Sequence, residues 1–428
     1  MSKIKDAKMA GDGELELAWA RANMPALMSI RKRFEREKPF RGLRIGVALH
    51  LEKKTGILLE TLKAGGASVA ASSCNPLTTD DRVAAALARE MEVYAWEGES
   101  ASEYDWCLNK VLDSKPDIVI DDGCDLILLL HDKRKEMLAN VRGACEETTT
   151  GVRRLKAMER EGKLKLPVIA VNDAYSKFLF DNRFGTGQST VDAIMRATNV
   201  VLAGKRVVVV GFGWCGRGIA ERMKGMGARV IVVEAAGVPH EGGASSYHRA
   251  LEASYSGYDV MPLEEAARIG DIFVTATGNK HVIAGRHFEL MKDGAIVANA
   301  GHFDVEIDAK GLREMAKKAR RLGANLEEFE LKNGRKVRLL SEGRLVNLAR
   351  PSGQGHPIEI MDASFALQAL CAEHIAAEGK KMLPAVHSVL AAVDENVARL
   401  VLEAKGIYLE NMSAEQARYA NSWKEGTE

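Results

Sequence analysis

Two periodicities trade places along this chain. Apolar residues recur at helical spacing over 14–37, and a short continuous apolar run, RIGVAL at 44–49, then ends at His50. Beyond it the pattern predicts helices over 53–63, 79–91 and 101–113, with buried strands over 67–74, 93–96 and 117–120 between them. Strands that are apolar throughout and separated by helices predict a parallel sheet covered on both faces, with ligands held beyond the strands' carboxyl ends. His50, Asn75, Asp121 and Asp122 stand at those ends.

A further run opens at Pro167 and closes in Val-Asn-Asp at 171–173. Glycines 185 and 187 break the chain at a predicted hinge, and helix 189–203 leads into a second series of strands and helices. That series has strands over 206–210, 230–233, 272–277 and 295–300, helix 262–269, and a hairpin, 326–331 with 336–340, whose Asn333-Gly334 predicts a type I′ turn. A last strand is expected over 344–348, then helices over 358–377 and 394–405 and a polar tail. The basic run 317–321 reads as one solvated helix face. The fold class is therefore α/β: two doubly wound parallel-sheet domains with a short helical tail, since a chain of this length calls for more than one core.

Composition narrows the function more than the fold. A net charge of +1 provides no field to gather nucleic acid or an anionic membrane. The opening stretch MSKIKDAKMAGDGELELAWA has no apolar segment, and the longest apolar runs, such as 126–130, are too short to span a bilayer, so a cytoplasmic protein is expected. The six cysteines form no CxxC pair, which suits reduced thiols. Cys371 and His374 make a CxxH without a second pair, so no metal site is expected.

The most informative stretch is 204–234. Strand 206–210 opens into Gly211-Phe-Gly213-Trp-Cys-Gly216, a helical pattern follows, and a second apolar strand ends in the acid Glu234. In such a unit the first glycine permits the tight turn, the second lets backbone N–H groups approach a pyrophosphate, and the third lets helix and strand pack closely. Glu234 can accept hydrogen bonds from both hydroxyls of an adenosine ribose and would repel a 2′-phosphate, which predicts NAD and not NADP.

Four polar clusters remain, each with an ordinary alternative. Glu146-Glu147-Thr148-Thr149-Thr150-Gly151 precedes a helical pattern, 152–160, and could supply an N-cap; Asp121-Asp122-Gly123 could be a turn. Lys177 and Asp181 could be an exposed i,i+4 pair, and His302 and His356 could be satisfied loop histidines.

Taken together, DDGCDL, EETTTGV, VNDAYSKFLFDN, the glycine loop, GHFDVEID, EGRLVNL and GHPIEIMDASF resemble the S-adenosyl-L-homocysteine hydrolase family in order and nearly in spacing, over nearly the whole chain. The tail and the LEKKT segment at 51–55 resemble archaeal and thermophilic members, a branch that includes S-inosyl-L-homocysteine hydrolases. The resemblance implies a substrate-binding domain from 1–185 and 353–390, a Rossmann NAD domain over 186–352, and a C-terminal tail, 391–428, that packs on a neighbour in a homotetramer. It implies NAD-dependent, redox-neutral, reversible hydrolysis of S-adenosyl-L-homocysteine to adenosine and homocysteine. In that chemistry the 3′-hydroxyl is oxidised to a ketone, the acidified C4′ proton and then the thiol leave, water adds, and the hydride returns to C3′. On matching positions, Lys177 and Asp181 handle the 3′-hydroxyl proton, Glu147 accepts the 2′-hydroxyl, Asp122 and His50 stand near C4′ and C5′, and His302 lies near the ribose. Thr148, Thr149, Thr150, Asn182, Asn299 and Asn347 match NAD or ribose contacts beside Gly211, Gly213, Gly216 and Glu234. Lys54, Thr55, His356, Met361 and Phe365 match the surroundings of the substrate.

The chain departs from the family pattern in three places. An additional Gly- and Ser-rich stretch, 235–248, follows Glu234. The tail lacks the Lys and Tyr pair that many members send into a neighbour's NAD site, which implies weaker cofactor affinity. Lys54 stands where adenosine-specific members have a glutamate. Facing the base, its donors would suit O6 of hypoxanthine and favour S-inosyl-L-homocysteine; turned to solvent, it would leave the adenosine conjugate preferred. A catalytically inactive NAD-binding regulatory homologue would have lost part of the proton-handling set, which is complete here. A 2-hydroxyacid dehydrogenase needs neither the EETTTG nor the DDG cluster.

Overall fold

The computed structural model describes residues 2–237, 244–424 and 426. The strands in chain order are β1 (Arg44–Ala48), β2 (Ser68–Ser72), β3 (Glu92–Tyr94), β4 (Ile118–Asp121), β5 (Gly143–Glu146), β6 (Val168–Ala170), β7 (Arg206–Val210), β8 (Arg229–Val233), β9 (Asp259–Val260), β10 (Ile272–Thr275), β11 (Ala295–Asn299), β12 (Ala316–Gly323), β13 (Leu326–Leu331), β14 (Lys336–Leu340) and β15 (Val386–Ser388). They form two sheets. The first, in the order β15-β6-β5-β4-β1-β2-β3, is parallel throughout. The second, β12-β13-β14-β11-β10-β7-β8-β9, is parallel apart from the β12-β13-β14 meander at one edge.

Each sheet is apolar on both faces, as continuous apolar runs require. Along β7 and its partners Val207 and Val209 pack into one core, and Val208 and Val210 into another on the opposite face. In the first sheet Ile118 and Ile120 face one core and Val119 the other. The chain returns to this sheet after completing the second: helix Ile358–Glu378 packs into the core that holds Ile118, and β15 adds to the edge.

Several expectations change. The predicted helix 14–37 is two, Ala10–Ala22 and Pro25–Glu37, because Pro25 has no N–H to continue the first but suits the opening turn of the second. The basic run 317–321 is not helical but lies in β12, where Arg320 faces Glu328 and Arg321 faces Glu327 across the ladder; opposite charges on facing strands stabilise the pairing. In the hairpin, Gly334 has φ +81° while Asn333 is not left-handed, and Gly334 N donates to Leu331 O at 2.9 Å. The turn is thus an ordinary one closed by a glycine bulge and not type I′. The strand expected at 344–348 reduces to one bridge, Leu345 with Asn299. Strands β5, β9 and β15 were not foreseen, being short and carrying little apolar signal. Of the inserted stretch 235–248, residues 238–243 lie outside the described residues.

Candidate active site

Register brings the first set of polar residues together. Ala48 on β1 lies opposite Asp121 on β4, and Asp121 lies opposite Glu146 on β5, so His50, Asp122 and Glu147 emerge side by side from three neighbouring strand ends. His50 Nδ1 is 2.9 Å from Thr78 Oγ1, and Nε2 is 3.4 Å from Asp122 Oδ2. From the loop after β11, His302 brings Nδ1 to 3.5 Å from Asp122 Oδ1. Gly123 permits that approach: its φ is +97°, and a Cβ there would stand 2.3 Å from His302 Nε2. Burial, only partly offset by the Asp122 charge, pushes His50 down to about 4, so its imidazole is neutral. Burial and Asp122 push the Cys74 thiol well up, and Sγ donates to Asp122 Oδ2 at 3.4 Å. Although no metal cluster was expected from sequence, ligand atoms of His50, Cys74 and Asp122 lie within 4.8 Å of one another. With the thiol protonated, Cys74 donates to the carboxylate while His50 stands beside it, an arrangement that needs no ion.

The second set surrounds Lys177. Helix Tyr175–Lys177 runs directly into a π-helix, Phe178–Gly185, a rare geometry that gathers at functional sites. Lys177 Nζ donates to Asn182 Oδ1 at 2.8 Å and Asp181 Oδ1 at 3.1 Å, and lies 3.4 Å from Glu147 Oε1. This excludes the exposed i,i+4 alternative, since Lys177 is buried. Burial opposes the ammonium, but Asp181 and Glu147 outweigh it and raise the Lys177 pKa. Burial likewise opposes the Asp181 carboxylate, yet Lys177 and His356, whose Nδ1 is 3.0 Å away, hold its pKa below the usual range. Glu147 differs. Burial raises it to about 7 against the pull of Lys177.

Two residues of this network were missed from sequence. Ser364 Oγ donates to Asp181 Oδ2 at 2.7 Å, and Gln368 Nε2 donates to Glu147 Oε2 at 2.5 Å. Both are buried in helix Ile358–Glu378, on one face with Met361 and Phe365, which are core residues. Polar side chains four apart on an otherwise apolar helix were the available signal.

The threonine run divides its work. Thr148 caps helix Thr149–Arg160, accepting from Gly151 N, and donates to Glu146 Oε1, so for this residue the ordinary reading holds. Thr149 Oγ1 donates to Asn172 Oδ1, which also receives Asn182 Nδ2, while Thr150 lies half-buried nearby. Asn347 Nδ2 donates to Ser189 Oγ and its Oδ1 is buried without a partner. Asn299 is fully engaged: its amide holds Gly301, Phe303, Gly343 and Thr275, shaping the loop that carries His302.

The glycine unit fits a dinucleotide. Gly211 has φ +96°, and a Cβ at Gly216 would stand 1.9 Å from Gly211 O, which is the close packing the third glycine serves. A Cβ at Gly213 would meet nothing within 4 Å, and helix Trp214–Gly225 starts there without a side-chain cap, so its first N–H groups are open to an anion. Glu234 closes β8, and its carboxylate is paired with Arg249.

Lys54 does not turn to solvent. Only 2% exposed, its Nζ donates to Gln354 O at 2.9 Å and pairs with Glu52 Oε2 at 2.9 Å, beside the loop that delivers His356. Thr55 Oγ1 donates to His50 O at 2.6 Å, tying the start of this helix to the His50 corner.

Comparison with known proteins agrees across the chain. Residues 182–353 match the model of the S-adenosyl-L-homocysteine hydrolase NAD binding domain, and residues 1–138 match that of S-adenosyl-L-homocysteine hydrolase. The S-inosyl-L-homocysteine hydrolase of Methanopyrus kandleri is 55% identical, over 99% of this chain and 98% of its own length. That of Methanocaldococcus jannaschii is 54% identical over 100% of both. The adenosylhomocysteinase of Pyrococcus abyssi is 55% identical over 99% of this chain and 98% of its own.

Proposed function

The chain belongs to the S-adenosyl-L-homocysteine hydrolase family, and from that premise we propose that it cleaves purine nucleoside–homocysteine thioethers, preferring S-inosyl-L-homocysteine to S-adenosyl-L-homocysteine. It is an NAD-dependent hydrolase. The observation that carries the preference is the buried ammonium of Lys54, of whose three N–H groups two are committed to Glu52 and Gln354 and one is spare. Hypoxanthine offers O6 to that donor, whereas the N6 amino group of adenine is itself a donor. The adenosine conjugate remains the second reading, because Glu52 Oε2 keeps an acceptor position that could take N6.

In this reading residues 1–185 and 353–390 hold substrate, and 186–352 hold NAD through Gly211, Gly213, Gly216 and Glu234. When bound, NAD supplies reversible hydride acceptance from the 3′ carbon. Lys177, held as an ammonium, donates to the 3′ oxygen; to take the hydroxyl proton it must first pass one on. Glu147, with a pKa of about 7 and an unpartnered Oε1 3.4 Å from Nζ, is the acceptor at hand. Asp122 and the neutral His50 then serve C4′ and C5′, one taking the acidified proton and the other exchanging one with the departing sulfur or the entering water. The tail 391–428 exposes Ile407, Tyr408, Leu409, Met412, Tyr419 and Trp423, which supports assembly with further copies, a homotetramer by family analogy, in the cytoplasm.

The test offers each conjugate separately to purified protein and follows homocysteine release. The inosine conjugate should have a kcat/KM about tenfold to a hundredfold higher, and Lys54→Glu should move the ratio toward the adenosine conjugate. Equal values that the substitution leaves unaltered would return the assignment to the adenosine enzyme.

A further inference from the structure

Lys177 closes a short helix, Tyr175–Lys177, that has no side-chain cap of its own. Ala174 stands at the N-cap, where its carbonyl accepts Lys177 N and Phe178 N, both at 3.0 Å, but its methyl group can accept nothing. The N–H groups of Tyr175 and Ser176 are left over, as the first N–H groups of a helix are. Asp394, 219 positions beyond Tyr175, takes both. Its Oδ2 accepts Tyr175 N at 2.8 Å and its Oδ1 accepts Ser176 N at 2.9 Å, while Ser176 Oγ donates to Asp394 O at 3.1 Å. Bonds to a carboxylate are stronger than those between neutral groups, and Asp394 and Ser176 are both buried. Asp394 lies in the first turn of helix Ala391–Ala404, which Val397 seats in the core that holds Ile118. A regular, packed element therefore presents the carboxylate.

We infer that Asp394 is a positioning residue for Lys177; the inference rests on the role proposed above for Lys177 in 3′-oxidation. The resemblance assigned 391–428 to assembly, yet the first helix of that stretch holds the backbone from which Lys177 projects. Lys177 follows directly on the two capped N–H groups, and the π-helix that continues from it carries Asp181 and Asn182. Its Nζ meets Asn182 at 2.8 Å, Asp181 at 3.1 Å and Glu147 at 3.4 Å at once. A helix start released from Asp394 can shift, and a small shift draws the ammonium away from at least one of these partners. Asp394 bonds to backbone N–H groups and not to the Lys177 side chain, so it acts through the helix.

Full-length Asp394→Ala is mixed with whichever nucleoside conjugate the wild type cleaves faster, and NADH absorbance is followed alongside steady-state turnover. The rate of NADH formation should fall about tenfold or more while KM changes by less than about threefold, because the groups around the base and the homocysteine arm are untouched. Asp394→Asn, of the same shape with one acceptor fewer, guards against loss of the fold and should lose about threefold in the same step. Asp362→Ala is the matched control. Asp362 accepts Ala26 N at 3.0 Å and Leu27 N at 2.8 Å at the start of helix Pro25–Glu37, so its removal deletes two bonds of the same kind away from Lys177. That variant should lose comparable thermal stability yet form NADH within about twofold of the wild-type rate. NADH formation unaltered in both Asp394 variants, a loss carried by KM instead, or an equal loss in Asp362→Ala overturns the inference. Absence of NADH in the wild type would instead overturn the role given to Lys177.

Discussion

Two corners of one site handle buried charge in opposite ways. Around Lys177 a buried ammonium lies among Asp181, Glu147 and Asn182, and charge persists on both sides of the pair. Around Asp122 one carboxylate faces a neutral His50 and a protonated thiol, with no lysine at hydrogen-bond distance among the described residues. Burial disfavours charge in both places. What differs is the presence of a cation at hydrogen-bond distance, which holds Asp181 ionised although burial still raises Glu147 to about 7; without it, the groups that can give up charge do so. In the proposed reading, one corner polarises and relays a proton through standing charges, and the other exchanges protons through neutral groups.

The strongest way to break the comparison is to remove one member from each corner. Lys177→Ala should abolish 3′-oxidation, lowering turnover by about a thousandfold or more, and no NADH absorbance should appear on mixing with substrate. Asp122→Asn should lose turnover comparably yet still let NADH accumulate, because its proposed work follows the oxidation. Equal NADH in both variants would show that the corners are not divided in this way.

A smaller change sharpens the relay. The Gln368 bond lowers the Glu147 pKa, so Gln368→Ala should raise it above its present value of about 7. Glu147 accepts a proton only when ionised, so activity is lost as pH falls through that pKa. In the variant the acid limb of the kcat profile should move to higher pH, with about a tenfold loss near pH 7 and little loss near pH 9. An unmoved limb would remove Glu147 from the relay.

The smallest expected effect lies behind the Asp122 corner. Burial raises Asp121 to about 8, against hydrogen bonds from Ile127 N and Asp122 N. The folded state therefore holds a proton that the unfolded chain releases near the ordinary carboxylate value. This contribution is complete at low pH and is lost as pH rises toward 8. Thermal melts from pH 5 to 8 should show Tm falling, and Asp121→Asn should flatten that fall by a few degrees. A slope identical to the wild type's would count against a protonated Asp121.

Much of this was legible in the chain. The βα alternation was read correctly because buried parallel strands leave continuous apolar runs. His50, Asp122, Lys177 and Asp181 could be singled out because they end strands or sit in polar clusters within apolar surroundings. Ser364 and Gln368 were not, since a helix buried on most sides shows no amphipathic stripe against which a polar face would stand out. Arg249 escaped for another reason: nothing in its local sequence indicates that its partner lies fifteen residues earlier at a strand end.

By itself the sequence determined the sheet class, the glycine cradle, and the family, because these depend on residues close together in the chain and on local geometry. Only the tertiary structure decided which groups carry charge. It made Lys177 an ammonium, set Glu147 at about 7, kept His50 neutral, turned Lys54 inward and paired Glu234 with Arg249. Protonation and pairing follow from burial and from distances between residues far apart in sequence, such as Asp122 and His302, and periodicity carries no record of either.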